Sequence, residues 1–91
     1  MTALEARQHV LGALTRVAPE IDPSTLDADR PLRDQVDLDS VDFLNFVVDL
    51  HARTTIDIPE ADYGRLASIT AAIEYIIAAA TASAPPETPL S

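Results

Sequence analysis

Cysteine is missing from this chain, so it can build neither a disulfide framework nor a thiolate metal site, and the polypeptide offers no thiol nucleophile. Glycine occurs only at Gly12 and Gly64, too sparsely for a phosphate-cradling loop or the turn that shapes an oxyanion hole. No N-terminal stretch joins basic residues to an apolar run, and no apolar run approaches the length of a bilayer crossing. A cytoplasmic protein without a membrane span is expected. Histidine is limited to His9 and His51; neither has a second histidine at i+3 or i+4, which argues against a metal site. For His51 a solvated position is expected. Positive charge is scarce as well, with 6 basic residues, all arginine, against 15 acidic ones. The acidic excess is concentrated between Glu20 and Asp62. Such a surface repels nucleic acid, whose recognition needs a basic footprint, and it either steers basic partner surfaces inward or simply keeps a small protein soluble.

What is present reads as helix. The 91 residues leave room for one small domain with one core. Leu4, Val10, Leu11, Leu14 and Val17 stand near helical spacing, Thr2 is suited to cap them and Pro19 stops them, so a first helix is predicted from Thr2 to about Val17. Gly12 inside it costs about 1 kcal/mol relative to alanine, which points to close approach of a neighbouring helix. From Glu20 to Asp39 the chain is rich in proline, aspartate and serine without a sustained period. This reads as a long loop anchored to the core by Ile21, Leu26, Leu32, Val36 and Leu38, and a loop of that length in so small a domain is packed or functional. After a second helix comes a β-branched stretch, Thr54-Thr55-Ile56-Asp57-Ile58-Pro59, then a short third helix within Glu60 to Leu66. A fourth helix capped by Ser68 carries Ile69, Ala72, Ile73, Ile76, Ile77 and Ala80 on one face. Tyr63 and Tyr75 read as packing residues with their hydroxyls at the surface. From about Thr81 the composition turns to alanine, serine, threonine and proline, and a solvated tail is expected. There is no internal repeat.

The second helix, Ser40 to Arg53, carries two apolar stripes at about 100° per residue. Phe43, Phe46, Val47 and Leu50 form one, expected to face the core. Val41, Leu44, Val48 and Ala52 form the other, which either docks partner proteins or lies under the long loop. Ser40 stands at the mouth of this helix, where a serine ordinarily serves as N-cap. Free N–H groups and the positive end of the helix dipole favour a phosphate there, while Asp37, Asp39 and Asp42 oppose reversible capture of a free one. The place suits a covalent phosphate installed by a visiting enzyme. A Ser-His-Asp grouping of Ser40, His51 and Asp39, the basis of a hydrolase reading, is not required by any spacing.

Taken in order, an amphipathic first helix, a long loop, Asp39-Ser40-Val41, Ile56-Asp57-Ile58-Pro59, and Ser68-Ile69-Thr70-Ala71-Ala72-Ile73-Glu74-Tyr75-Ile76 resemble the acyl carrier protein family from Leu4 to Ile77. The resemblance implies an all-α fold, an acyl-carrier-like antiparallel four-helix bundle with a long loop between helices 1 and 2 and a short helix 3. It implies a carrier domain over residues 1–82, a flexible tail over 83–91, and a monomer that is not an enzyme. It further implies 4'-phosphopantetheine attached covalently to Ser40, flanked by the motif residue Asp39, with a thiol that would be the molecule's only one.

Acyl intermediates of a fatty-acid, specialised-lipid or polyketide pathway would then ride on the arm as thioesters. The partners implied are a phosphopantetheinyl transferase and acyl-loading, acyl-transfer and synthase enzymes with basic docking surfaces, meeting a face of Val41, Asp42, Leu44, Asn45, Val48 and Ala52. Phe46, Val47, Leu50, Ile58, Leu66 and Ile73 are candidates to line an acyl pocket. Because a close-packed bundle must open for a long chain, short or polar cargo is expected. A peptidyl or aminoacyl carrier shares these features, and an unmodified acidic helical interaction module is the reading from another class.

Several residues depart from the common pattern of bacterial fatty-acid carriers. Asp37 stands where glycine is usual, Asn45, His51, Ala52 and Arg53 occupy places where glutamates are frequent, and Thr54 replaces a core aromatic. These departures point to a specialised carrier serving a dedicated pathway.

Overall fold

The computed structural model describes residues 1–83. Helix α1, Ala3–Val17, begins at Thr2 through a reciprocal cap: the Glu5 N–H donates to Thr2 Oγ1 at 3.1 Å and the Thr2 N–H donates to Glu5 Oε1 at 2.9 Å. Ala6, Val10, Ala13 and Leu14 form its buried face. Leu4 lies off that face and is 65% exposed, because the spacing i, i+4, i+7, i+8 from Ala6 excludes it. Helix α4, Ile69–Ser83, is capped by Ser68, whose Oγ accepts the Ala71 N–H at 3.0 Å. It runs on through Thr81 to Ser83, past the place where a tail is expected, since alanine is the best helix former. The rest of the expected tail, 84–91, lies outside the described residues.

Between these, α2 is a single turn, Leu32–Gln35, and α3 spans Ser40–Thr54. The expected third helix is a 3₁₀ segment, Glu60–Leu66. Helix α1 packs on both α3 and α4, and the 3₁₀ segment packs on α4, giving the antiparallel four-helix bundle, with no strand among the described residues. Its centre is filled by Phe46, Leu14, Leu32, Leu50, Leu66, Ile69, Ile76 and Val10, all fully buried. Each such side chain contributes about 1.5–3 kcal/mol over exposure.

The long loop is packed. Leu32, Val36 and Leu38 are buried, and Ile21 and Leu26 lie against the core. Two backbone bonds tie it to the start of α4, from Leu32 N–H to the Ala67 carbonyl at 2.7 Å and from Thr70 N–H to the Ala28 carbonyl at 2.9 Å. Gln35 clasps the loop upon itself: its Oε1 accepts the Asp27 N–H at 2.6 Å, and its Nε2 donates to the carbonyls of Asp27 at 2.8 Å and Arg30 at 3.1 Å. Having spent its apolar residues on the core, the loop leaves the Val41 stripe of α3 uncovered.

Two contacts define the remaining seams. A Cβ at Gly12 would stand 2.5 Å from Nη1 of Arg53, so the missing side chain lets that guanidinium lie flat where α1 meets α3. Asp49 accepts from Arg53 Nε at 2.6 Å and pairs with Arg16 Nε at 3.3 Å, bridging the same two helices. On the other side Tyr75 is buried, not surface-facing, and its hydroxyl donates to Asp62 Oδ2 at 2.8 Å while Arg65 sits 4.8 Å above its ring. Burial first, then the bonded Asp62 carboxylate, raise the Tyr75 pKa above the usual phenol value. Tyr63 is half-buried and meets Phe43 edge-on at 6.4 Å.

Helix α3 ends on Thr55 at φ 58°, the one non-glycine residue with positive φ among those described. A left-handed β-branched residue is costly, so Thr55→Gly is expected to gain about 0.5–1 kcal/mol after the entropy of glycine is deducted; thermal unfolding would show this as a rise of a few degrees. Gln35→Ala, which frees three hydrogen-bonding groups of the loop, is expected to cost about 1–2 kcal/mol, with faster amide exchange at Asp27 and no change at the centre of α4.

Candidate functional site

The chain enters α3 through a short anchored approach. Leu38 is buried and its N–H reaches back to the Val36 carbonyl at 2.9 Å. Asp39 is extended at φ −86°, ψ −178° and is the N-cap, its Oδ1 accepting the Asp42 N–H at 2.7 Å. The capping role that serine ordinarily takes therefore belongs to its neighbour. Ser40 is the first residue of α3 and is exposed, and among the described residues nothing hydrogen-bonds its hydroxyl. It is a primary alcohol at the positive end of a 15-residue helix, left free for chemistry. Asp37 does not adopt a positive φ, so the backbone there has no need of glycine.

Ser40 stands on the rim of an open cleft of ≈ 440 Å³ between α3 and the 3₁₀ segment. Phe43, Leu44, Tyr63 and Ala67 make its lining mostly apolar, Gly64 opens one side, and Arg33 and Glu60 supply charge. Of these, Arg33, Glu60, Tyr63, Gly64 and Ala67 gave no periodic signal. They converge only when the loop and the 3₁₀ segment fold against α3.

The residues expected to form a partner face lie along the outer side of α3. Val41, Leu44 and Val48 are 65%, 46% and 56% exposed; Asn45 and Ala52 are also exposed, while Asp42 is half-buried. Asp42, Asn45, Val48 and Ala52 border a second groove of ≈ 430 Å³ shared with Arg16, Val17 and Asp49, so the apolar ridge runs between two hollows. The candidates for an acyl pocket stand elsewhere. Phe46, Val47, Leu50 and Leu66 are sealed in the core, and Ile58 and Ile73 are half-buried against it; none of the six lines the cleft beside Ser40.

His51 is half-exposed and has a structural partner that sequence could not show. Its Nδ1 lies 2.8 Å from the Ile56 carbonyl, a geometry that places the proton on Nδ1, since a carbonyl only accepts. The ring thereby ties the last turn of α3 to the strand-like segment after it. Thr54, standing where an aromatic is frequent, caps the same turn by donating to the Leu50 carbonyl at 2.8 Å and accepting the Ile56 N–H at 3.2 Å. No described helix is long and apolar enough to cross a membrane.

An exposed serine opening a helix, relieved of capping and set beside an apolar cleft, fits a covalently tethered phosphate with a long organic arm. The comparisons with known proteins agree. Residues 8–76 match the family model described as phosphopantetheine attachment site. Acyl carrier proteins of Tropheryma whipplei, strains Twist and TW08/27, are each 27% identical over 77 residues, covering 81% of this chain and 94% of those proteins. The chain belongs to the phosphopantetheine attachment site family, and its cofactor is covalent 4'-phosphopantetheine.

Proposed function

We propose that Ser40 is the attachment residue and that the protein is an acyl carrier of a dedicated fatty-acid, specialised-lipid or polyketide pathway, itself without catalytic activity. The observation that carries this is the division of labour at the start of α3: Asp39 caps the helix, leaving Ser40 exposed and available to an incoming phosphate. When bound, the arm supplies a thiol that holds acyl groups as thioesters and, being tethered, presents them at high effective concentration. The protein's own residues position it. The anchored Leu38 fixes the approach, the helix dipole favours the phosphodiester, and the cleft lined by Phe43, Leu44 and Tyr63 lies within the sweep of the arm. This cleft fits a short or polar group; a long chain reaching Phe46, Val47, Leu50, Ile58, Leu66 or Ile73 must open the core.

Partners are read onto the outer side of α3. Val41, Leu44 and Val48 supply apolar contact, Asn45 and Ala52 leave room for close approach, and Asp37, Asp39 and Asp42 attract a basic rim around a partner's active-site entrance. Toward the other end, Asp49 is already neutralised by two arginines, so the attraction is strongest beside Ser40.

Intact mass after incubation with coenzyme A, magnesium and a phosphopantetheinyl transferase is expected to show one added arm, absent from Ser40→Ala. Failure with the transferase of the native cell, or full biological function of Ser40→Ala, would favour an unmodified interaction module. Loading by an adenylating enzyme with an amino acid would make it an aminoacyl carrier. Val48→Asp is expected to lower kcat/KM for arm transfer about tenfold, equivalent to ~1.4 kcal/mol, with an unchanged Tm because the side chain is 56% exposed.

A further inference from the structure

The arrangement of positive charge around the cleft is uneven. All 6 basic residues are arginines, and several are engaged away from it: Arg16 and Arg53 pair with Asp49, and Arg65 lies on the Tyr75 ring. Arg33 is exposed, forms no ion pair among the described residues, and lines the same cleft as Ser40. It belongs to α2, whose turn is held by Leu32 in the core, by the Leu32 N–H on the Ala67 carbonyl and by the Gln35 clasp, so its backbone is anchored at the edge of the cleft. The groups that compete for it are acidic: Glu60 across the cleft, and Asp34 and Asp37 on its own segment.

A phosphodiester on Ser40 adds a negative charge beside Asp37, Asp39 and Asp42. The helix dipole offsets part of that repulsion, and a guanidinium is the side chain best shaped to offset the rest, because its planar fork matches two phosphate oxygens at once. We infer that Arg33 binds the phosphodiester of the arm and thereby sets the direction in which the arm leaves Ser40, along the cleft toward Phe43 and Tyr63. This rests on Ser40 being the attachment residue. Arg33 is a positioning residue: it does not touch the reacting end of the arm, and it acts by narrowing the arm's range of directions. The contact is exposed to solvent, so it is salt-sensitive and reversible, which lets a docking enzyme draw the arm away.

The test uses the whole protein with and without its arm. Intact mass first establishes whether the arm is on Ser40; its absence would overturn the attachment reading itself. With the arm verified, the Nε–H resonance of Arg33 is expected to shift between the unmodified and modified protein, and the phosphorus resonance to sharpen in Arg33→Gln as the diester gains freedom. Arg33→Lys, which keeps the charge but loses the fork, is expected to fall between the two. The broadening in the wild type is expected to disappear as salt is raised. Identical phosphorus line widths in wild type and Arg33→Gln would overturn the inference. So would an Arg33 shift that appears only after loading with a dicarboxylic acyl group, which would assign the arginine to cargo rather than phosphate.

Discussion

The hydrogen bond from the Asp42 N–H to the carboxylate of Asp39, 2.7 Å long, decides where α3 begins, and the place and exposure of Ser40 depend on it. Each residue of a helix advances the side chains by about 100°. The burial of Phe46, Val47 and Leu50 therefore fixes which face of α3 turns inward and leaves Leu44 and Val48 to solvent. Buried Leu38 immediately before the cap holds the register from the other side. Together they place Ser40 on the first turn, free of any structural duty, and point its apolar neighbours to solvent.

Much of this plan is legible in the chain. Thr2 and Ser68 cap the helices they were expected to cap, Pro19 ends α1, and the two stripes of α3 separate into buried and exposed sets because periodicity encodes them locally. The loop anchors Ile21, Leu26, Leu32, Val36 and Leu38 all reach the core, since isolated apolar residues in a polar stretch have few other places to go. The cap on α3 was harder to assign, because aspartate and serine are about equally good at the role and adjacent candidates cannot be separated by type alone.

The features that sequence hid are those made by distant segments. Gln35 looks like any polar loop residue until the chain folds back far enough for it to reach Asp27 and Arg30. Tyr75 buries its ring and meets Asp62 only because the 3₁₀ segment lies across α4. The cleft beside Ser40 draws on three separate stretches of chain. Thr55 in a left-handed conformation runs against its propensity, and is held there by the bond from its N–H to the His51 carbonyl at 2.7 Å and by the ties of Thr54 and His51 to Ile56. Local preference yields at that point to tertiary constraint.

Gly12 and the arginine lying over it give the outer side of α3 an electrical polarity. Over 15 residues the helix runs about 22 Å, well beyond the screening length of about 8 Å at physiological salt. A visiting enzyme therefore senses the carboxylates near Ser40 and the arginines at the other end as two separate fields. A uniformly acidic helix would attract a basic surface in either orientation. Here the two ends are unlike, so a basic surface meeting this side of the helix is favoured in one heading, with the Ser40 end leading.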